Sequence, residues 1–282
     1  MQEYNFTPES IPILHKYNAK ELLKGKKEIS LDLGISKEKV EITKEAFFIR
    51  GIKVEKRIIE KIAKDKQNNI FFVFPDGVKK ALFFDKAVYK LRLVAPDTAP
   101  TLEINGIHMH RIKGITPLED AKSKIKAINI KPGDKVLDIC TGLGYTAIYA
   151  WKASKTEVIT VEKDKNVLEL AELNPWSKEL ERKEIKIYLA DAEEFIKELK
   201  DESFTVIIHD PPREALARKL YSRGFYRELY RVLVKEGRLL HYVGEPKKRA
   251  MNFLLATAKR LEEVGFKTEI LKHIKCVLAK KV

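Results

Sequence analysis

Two short segments hold residues whose types and spacing could do chemistry. In Asp138-Ile139-Cys140-Thr141-Gly142-Leu143-Gly144, a carboxylate closes an apolar run and two glycines follow. Glycines allow a sharp turn and a close approach of a ligand to the backbone, so a nucleotide could lie here. In Asp210-Pro211-Pro212-Arg213, two prolines fix the backbone and keep Asp210 extended. Such a rigid carboxylate could orient an amine or accept its proton.

Two further carboxylates follow apolar runs. Glu162 comes about 20 residues after the glycines, a spacing that suits hydrogen bonds to ribose hydroxyls. Asp191 precedes Ala192 at the start of a predicted helix over 192–199, where it could cap the helix, contact a ligand, or do both. The alternatives are a solvated carboxylate for Glu162 and a simple strand-to-helix turn for the glycine loop.

The glycine loop departs from two well-known nucleotide-binding patterns. Ala147 stands where the dinucleotide pattern has its third glycine, which argues against NAD. No Gly-Lys-Ser or Gly-Lys-Thr follows, which excludes a P-loop.

The elements that must position these residues alternate between strands and helices from Pro117 onward. Strands are predicted at 135–139, 158–161, 185–189, 204–208 and 237–242, with terminal strands at 269–271 and 276–279. This alternation predicts an α/β fold with a doubly wound, Rossmann-like sheet. Ligands bind at the carboxyl ends of strands in such a sheet, which is where the carboxylates and glycines lie.

The chain before this region has a different pattern. Short runs rich in β-branched and aromatic residues predict strands, with one helix over 53–64 and a last strand over 102–107. We therefore expect a smaller α+β accessory domain at residues 1–111 and a catalytic domain at residues 112–282.

The four segments occur in an order that resembles class I S-adenosylmethionine-dependent methyltransferases. Val136–Gly144 looks like their first motif, Val161–Asp164 the second, Leu189–Ala192 the third and His209–Arg213 the fourth. The resemblance covers about residues 117–245. The chain resembles in particular archaeal predicted methyltransferases in which the fourth motif reads Asp-Pro-Pro-Arg.

This resemblance implies a role for each matching residue. Asp138 and the loop backbone would hold the methionine portion of the cofactor, Glu162 the ribose and Asp191 the adenine amino group. The residues that would bind S-adenosylmethionine are Asp138, Thr141, Gly142, Gly144, Glu162, Asp191 and Ala192. Those that would lie at the transferred carbon are Asp210, Pro211, Pro212 and Arg213.

The fourth motif bears on the methyl acceptor. Methyltransferases that act on nitrogen carry a similar motif with an aromatic residue in the position of Arg213. An arginine there could contact a phosphate or a carboxylate, or stack on a base. The arginine weakens the case for a flat base stacked at that position, whereas the resemblance of the motif, the extra domain and the basic charge balance favour a nitrogen on tRNA or rRNA as the acceptor.

Two other functions stay open. The segment 220–233 also resembles spermidine synthase-type aminopropyltransferases, which would need acidic groups such as Asp210, Glu214 and Glu245 to hold a polyamine. A non-catalytic RNA-binding protein with a relic cofactor fold is the second alternative. The intact glycines and carboxylates argue against it.

Composition adds expectations about partners. The net charge is +14 over 282 residues, which favours polyanions such as RNA. Charged residues make up 34%, with few Cys and Met, a balance typical of thermophilic proteins, which are often basic without binding nucleic acid.

Metal and membrane binding are not expected. Cys140 and Cys276 have no metal-ligand spacing. If the segment Glu103–Arg111 were extended as a strand, His108 and His110 would share one face, but no third ligand is nearby. No signal peptide or membrane-spanning run is apparent, so we expect a soluble cytoplasmic protein of unknown oligomeric state.

Overall fold

The computed structural model describes residues 2–244 and 247–282, and these form two compact units. One unit comprises Thr7–Leu118 and Glu169–Lys178. The other comprises the chain up to Phe6, Glu119–Leu168 and Glu179–Val282. The domain boundary between residues 111 and 112 stays a prediction.

The unit that holds Thr7–Leu118 is built of short antiparallel strands and helices. Its sheets have the strand orders β1-β7-β8, β2-β3, β4-β5-β6 and β12-β11-β10-β9. The elements are β1 (Ile13–His15), α1 (Lys16–Leu23), β2 (Glu28–Ile29), β3 (Glu38–Lys39), β4 (Glu41–Ile42), β5 (Ala46–Ile49), β6 (Ile52–Glu55), α2 (Lys56–Ala63), β7 (Ile70–Phe74), β8 (Gly77–Lys80), β9 (Leu82–Phe84), β10 (Val88–Arg92), β11 (Thr101–Ile104) and β12 (Ile107–His108).

Helix α1 was not apparent from the sequence because its cap is unusual. The Nδ1 atom of His15 accepts hydrogen bonds from the backbone N–H groups of Tyr17 and Asn18. In return, the side-chain oxygen of Asn18 accepts from the N–H of His15 at 2.8 Å. This reciprocal arrangement is a capping box, but it uses His and Asn instead of Ser or Thr and Glu.

The single strand predicted over 102–107 is wrong. Asn105 and Gly106 have φ of 48° and 78°, and they form the turn of a hairpin between β11 and β12. Asn-Gly is the dipeptide that favours such a turn. Because β12 ends at His108, His110 does not share a strand face with it. His108 contacts Glu103 at 3.0 Å and His110 contacts Thr101 at 3.0 Å.

The unit that holds the predicted motifs is a doubly wound α/β structure. It contains most of α3 (Pro117–Ile128) and the first half of α5 (Lys165–Glu172), whose remaining residues belong to the other unit. Its other elements are β13 (Val136–Ile139), α4 (Tyr145–Ser154), β14 (Val158–Glu162), β15 (Ile185–Leu189), α6 (Ala192–Phe195), β16 (Phe204–His209), α7 (Arg223–Val232), β17 (Leu233–Tyr242), α8 (Lys247–Glu262), β18 (Phe266–Leu271) and β19 (Cys276–Lys281). The helix predicted over 192–199 divides into α6 and a 3₁₀ turn at Ile196–Glu198.

The central sheet has the strand order β15-β14-β13-β16-β17-β19-β18. Strands β13 to β17 pair in parallel, and β19 and β18 add antiparallel partners at one edge. This order confirms the predicted Rossmann-like fold class. From β13 the chain continues to β14 on one side, whereas β16 continues to β17 on the other. The carboxyl ends of β13 and β16 therefore form the topological switch point.

Apolar residues cover both faces of this sheet. Strand β13 is buried throughout, and Leu137, Ile139 and Ile207 belong to the main hydrophobic core. Helix α7 packs into that core through Tyr226 and Leu229, each 0% exposed. Parallel strands buried on both faces are rigid platforms for the residues that follow them.

Within the part of the chain that the structure describes, no helix is long and apolar enough to cross a membrane. Nor does any group of three His, Cys, Asp or Glu side chains among these residues have an arrangement that could hold a metal ion.

Candidate active site

The chain leaves β13 through a tight turn. Cys140, Gly142 and Gly144 have φ of 73°, 55° and 75°. The N–H of Gly144 donates to the Thr141 carbonyl at 2.7 Å, and the N–H of Cys140 donates to the Val161 carbonyl at 3.0 Å. These bonds fasten the loop to itself and to β14, so that α4 begins directly after Gly144.

The two glycines of the loop face different surroundings. A Cβ atom on Gly144 would lie 2.6 Å from Cδ2 of the buried Leu180, so this position is closed by packing. A Cβ atom on Gly142 would meet nothing within 4 Å. Gly142 therefore leaves open space at the end of β13, where a ligand could approach the backbone.

Alanine substitutions should separate these two roles. We expect Gly144→Ala to lower the free energy of unfolding by about 2–5 kcal/mol, because a left-handed backbone and an overpacked contact both cost energy. We expect Gly142→Ala to cost only about 1–2 kcal/mol, the price of the backbone conformation. Denaturant unfolding measures both. Adding Leu180→Ala should recover stability only in Gly144→Ala, and equal recovery in Gly142→Ala would contradict this assignment.

Asp138 lies inside the sheet. Its side chain is 0% exposed, and Oδ2 accepts a hydrogen bond from Thr160 Oγ1 at 2.7 Å. Thr160 in turn contacts Thr141 Oγ1 at 2.7 Å, which links the carboxylate to the glycine loop. Burial raises the pKa of Asp138 to about 7, although hydrogen bonds from Thr160 and Thr146 oppose the shift. Asp138 can therefore change its charge near neutral pH.

Glu162 ends β14 and braces the loop. Its carboxylate accepts hydrogen bonds from the backbone N–H groups of Gly142, Lys163 and Asp164 at 3.0, 3.0 and 3.1 Å. Burial raises its pKa, and these three donors act in the opposite direction. A carboxylate has about four acceptor sites, so one remains for a ligand hydroxyl.

Asp191 and Ala192 follow β15. The Oδ1 atom of Asp191 accepts from the N–H of Glu193 at 2.9 Å, so Asp191 is the N-cap of α6. Asp191 is exposed and Ala192 is buried. The N–H of Ala190 donates to the Glu162 carbonyl at 2.9 Å, which keeps the ends of β14 and β15 together.

Asp210 follows β16 at the switch point. Its N–H donates to the Ile139 carbonyl at 3.3 Å, so the residue lies beside the end of β13. Its side chain is 15% exposed, and Oδ2 lies 2.6 Å from Nζ of Lys124 on α3. The reactive carboxylate suggested by the sequence is therefore ion-paired with a helix that precedes the sheet.

Lys124 was missed by the sequence interpretation. It is 2% exposed and lies between two carboxylates, with Asp120 Oδ2 at 3.1 Å and Asp210 Oδ2 at 2.6 Å. Its ammonium group also lies over the Tyr242 ring, 4.2 Å from the centroid. Burial alone would lower the pKa of Lys124, but Asp210 and Asp120 outweigh it and the net shift is upward. The only hint in the sequence is the i, i+4 spacing of Asp120 and Lys124 on a helix.

Residues 210–213 follow β16, and we call them the reactive corner. Pro211 is buried, and the Pro212 carbonyl accepts a hydrogen bond from the Tyr221 hydroxyl at 2.9 Å. Arg213 is exposed. Glu214 is ion-paired with Arg260 at 3.0 Å, and Glu245 lies outside the described residues.

His209 is the last residue of β16, and the alternation of side chains along a strand places it on the opposite face from Asp210. Its Nε2 atom lies 3.0 Å from the Leu220 carbonyl, and its ring lies 4.3 Å from the ring of His241. Burial lowers the pKa of His209 to about 4, so the ring is neutral at physiological pH. His209 therefore has a structural role beside the reactive corner, through its contact with the Leu220 carbonyl.

Solved structures with similar folds contain the same kind of sheet. A spermidine synthase in complex with the transition-state analogue AdoDATO superposes with a TM-score of 0.57 and 20% identity, over 73% of this chain and 76% of that one. The spermidine synthase from Thermotoga maritima gives 0.55 and 19%, over 73% and 75%. At this identity the likeness shows the fold alone.

Sequence comparisons identify the family as well as the fold. An uncharacterised protein of Methanocaldococcus jannaschii is 49% identical over 258 residues, which cover 88% of each chain. The family model described as a methyltransferase domain matches residues 130–275, a range that includes the glycine loop, Glu162, Asp191 and the reactive corner. The chain therefore belongs to the class I methyltransferase family.

Proposed function

We propose that this protein is an S-adenosylmethionine-dependent methyltransferase whose acceptor is a nitrogen on RNA. The observation that carries the proposal is the alignment of four strand ends. At the carboxyl ends of the neighbouring strands β15, β14, β13 and β16 lie, in that order, Asp191, Glu162, the glycine loop and Asp210. The cofactor and the acceptor would then meet at the switch point, between the glycine loop and Asp210.

The residues present fit the cofactor. Open space at Gly142 allows a ligand to approach the backbone, and Glu162 beside it retains an acceptor site for a ribose hydroxyl. Asp138 and Thr141 would support the methionine portion, and Asp191 with Ala192 would contact the adenine. When bound, S-adenosylmethionine supplies an electrophilic methyl group on a sulfonium.

Asp210 would orient the acceptor. Pro211 and Pro212 restrict the backbone conformation of Asp210 and of the residues that follow it, and the ion pair with Lys124 fixes the Asp210 side chain. The carboxylate of Asp210 would accept a hydrogen bond from an N–H group of the acceptor, which would turn the nitrogen lone pair toward the methyl group. Positioning of this kind is a large part of catalysis for a simple displacement.

RNA as the substrate is supported by charge. The chain carries 55 Lys and Arg against 41 Asp and Glu. The exposed Arg213 ends the reactive corner, where its guanidinium group could contact a phosphate or stack on a base.

A transfer assay tests the proposal. Methyl-tritiated S-adenosylmethionine would be incubated with unmodified tRNA and rRNA fragments, and with polyamines and DNA as alternative acceptors. We expect label in RNA, on a base nitrogen when the digested nucleosides are examined by mass spectrometry. Label only in a small molecule or in DNA would contradict the RNA assignment.

An aminopropyltransferase is the second candidate, and the charge of the switch point favours it. Asp120 and Asp210 both contact the buried Lys124, and Asp138 interacts with Lys124 electrostatically. An excess of carboxylates suits a cationic acceptor such as a polyamine. Against it, the Glu214 carboxylate is already paired with Arg260. Incubation with decarboxylated S-adenosylmethionine and putrescine would yield spermidine only if this candidate were correct.

The raised pKa of Asp138 predicts a pH-dependent affinity. A cationic cofactor near Asp138 favours the ionised carboxylate, so we expect the Kd for S-adenosylmethionine to rise as the pH falls below about 7. The limit is roughly tenfold per pH unit if only the ionised form binds. Calorimetry from pH 5.5 to 8 measures the effect. Asp138→Asn should weaken binding and flatten the profile, whereas an unchanged slope would contradict the role of Asp138.

The raised pKa of Asp138 also determines in which direction the free energy of unfolding changes with pH. Because the pKa of Asp138 is raised from its ordinary value of 3.8, its favourable contribution to the unfolding free energy is complete below pH 4 and is lost as the pH rises through 7. Asp138→Asn should therefore be as stable as the wild type, or more stable, at pH 8. The exposed Asp201→Asn is the control, and its profile should match the wild type.

A further inference from the structure

A shallow groove of about 400 Å³ lies between α3 and α4. Lys122, Lys126 and Lys152 line it together with Tyr149 and Asn129, over an apolar floor that includes Ile125. Among the residues that the structure describes, none that lines the groove is acidic. The motifs of the methyltransferase fold do not use these residues.

Two lysines lie near the ring of Tyr149 in this groove. The Nζ atoms of Lys122 and Lys152 lie 5.3 and 5.5 Å from the centroid of the Tyr149 ring. Lys152 is also ion-paired with the exposed Glu179 at 2.5 Å, and exposed pairs of this kind are weak. Lys126 is exposed in the last turn of α3. A polyanion could therefore replace Glu179 at little cost.

An aromatic ring between ammonium groups is the combination that binds single-stranded nucleic acid. Bases stack on the ring without sequence preference, while lysines contact the phosphates. An acidic peptide would satisfy the lysines but would gain little from the ring and the apolar floor. A nucleic-acid strand uses all three features.

The groove and the reactive carboxylate share one helix. On α3, Lys124 reaches Asp210, whereas Lys122 and Lys126 lie two residues to either side and point to the opposite face of the helix. We infer that the groove between α3 and α4 is a binding site for single-stranded RNA. This inference rests on the proposed function, for which it specifies an RNA substrate with an unpaired segment.

Fluorescence anisotropy with a labelled, unstructured 12-nucleotide RNA tests the inference. The full-length wild type is compared with a groove variant, Lys122→Gln/Lys126→Gln/Lys152→Gln. A control variant with the same charge change carries Lys200→Gln/Lys235→Gln/Lys267→Gln, all exposed in the same unit. We expect the slope of log K against log salt to decrease by about 2 in the groove variant, since each lost contact removes about 0.7. The control should lose much less.

Tyr149 provides a second comparison. We expect Tyr149→Leu to weaken RNA binding by roughly 5- to 150-fold, because base stacking is lost, whereas Tyr149→Phe retains it. Equal losses in the groove and control variants, or competition by polyglutamate as effective as that by RNA, would overturn the inference. Calorimetric binding of S-adenosylmethionine to the same variants separates this outcome from failure of the proposed function, since cofactor affinity should not change.

Discussion

Asp210→Asn should reduce the rate of methyl transfer by about 10²–10⁴-fold, the range typical of a positioned acid–base group, while the affinity for S-adenosylmethionine stays nearly unchanged. Asparagine keeps the shape of the side chain but loses the negative charge and replaces one of the two acceptor oxygens with an NH2 donor. It also places an amide beside Lys124, whose ammonium lies 2.6 Å from Oδ2 of Asp210. Single-turnover transfer and calorimetry of the cofactor measure the two quantities separately.

Asp120→Asn is the matched control for this variant. Asp120 also contacts Lys124, at 3.1 Å, but is 1% exposed and lies on α3 instead of at the strand end. The substitution alters the same ion-pair network without touching the acceptor, so it should affect stability more than rate. A rate loss as large as that of Asp210→Asn would mean that the network matters and Asp210 itself does not.

Lys124→Met should lower the free energy of unfolding by about 3–5 kcal/mol at pH 7, because it removes the buried cation that ion-pairs with Asp120 and Asp210. In the wild type the raised pKa of Lys124 keeps the contribution of its charge to stability complete below the ordinary value of 10.5, and this contribution is lost only at higher pH. Denaturant unfolding at pH 7 measures the loss.

Two further variants make this test specific. Lys122→Met is the same substitution at an exposed position of the same helix and should change stability by less than about 0.5 kcal/mol. Adding Asp120→Asn to Lys124→Met removes one of the two carboxylate charges that contact Lys124 in the wild type and should recover part of the loss. If Lys124→Met were no less stable than Lys122→Met, the ion pairs would not contribute to the fold.

The fold of the second unit could be predicted because its signals are local. Apolar runs such as Val136–Ile139 are too short for a helix and are followed by glycine or acidic residues. The single strand predicted over 102–107 was wrong because the turn dipeptide Asn105-Gly106 lies between Ile104 and Ile107 and was counted as part of the strand. Helix α1 depends on a reciprocal cap between His15 and Asn18 that composition does not reveal.

The candidate site could be predicted only in part. Residues that follow strands, such as Glu162 and Asp210, are placed by the topology of a parallel sheet, so their motifs indicate their location. Lys124 is 86 residues from Asp210, and its contact depends on how α3 packs against the sheet. The burial of Asp138, which raises its pKa to about 7, is likewise a tertiary property.

The most direct test of the central claim is calorimetric titration of the wild-type protein with S-adenosylmethionine, S-adenosylhomocysteine and decarboxylated S-adenosylmethionine. We expect clear binding of S-adenosylmethionine and its product, and weaker binding of the decarboxylated form. A preference for the decarboxylated form would assign the protein to polyamine synthesis. Binding of none of the three would contradict the cofactor assignment and favour a relic fold that only binds RNA.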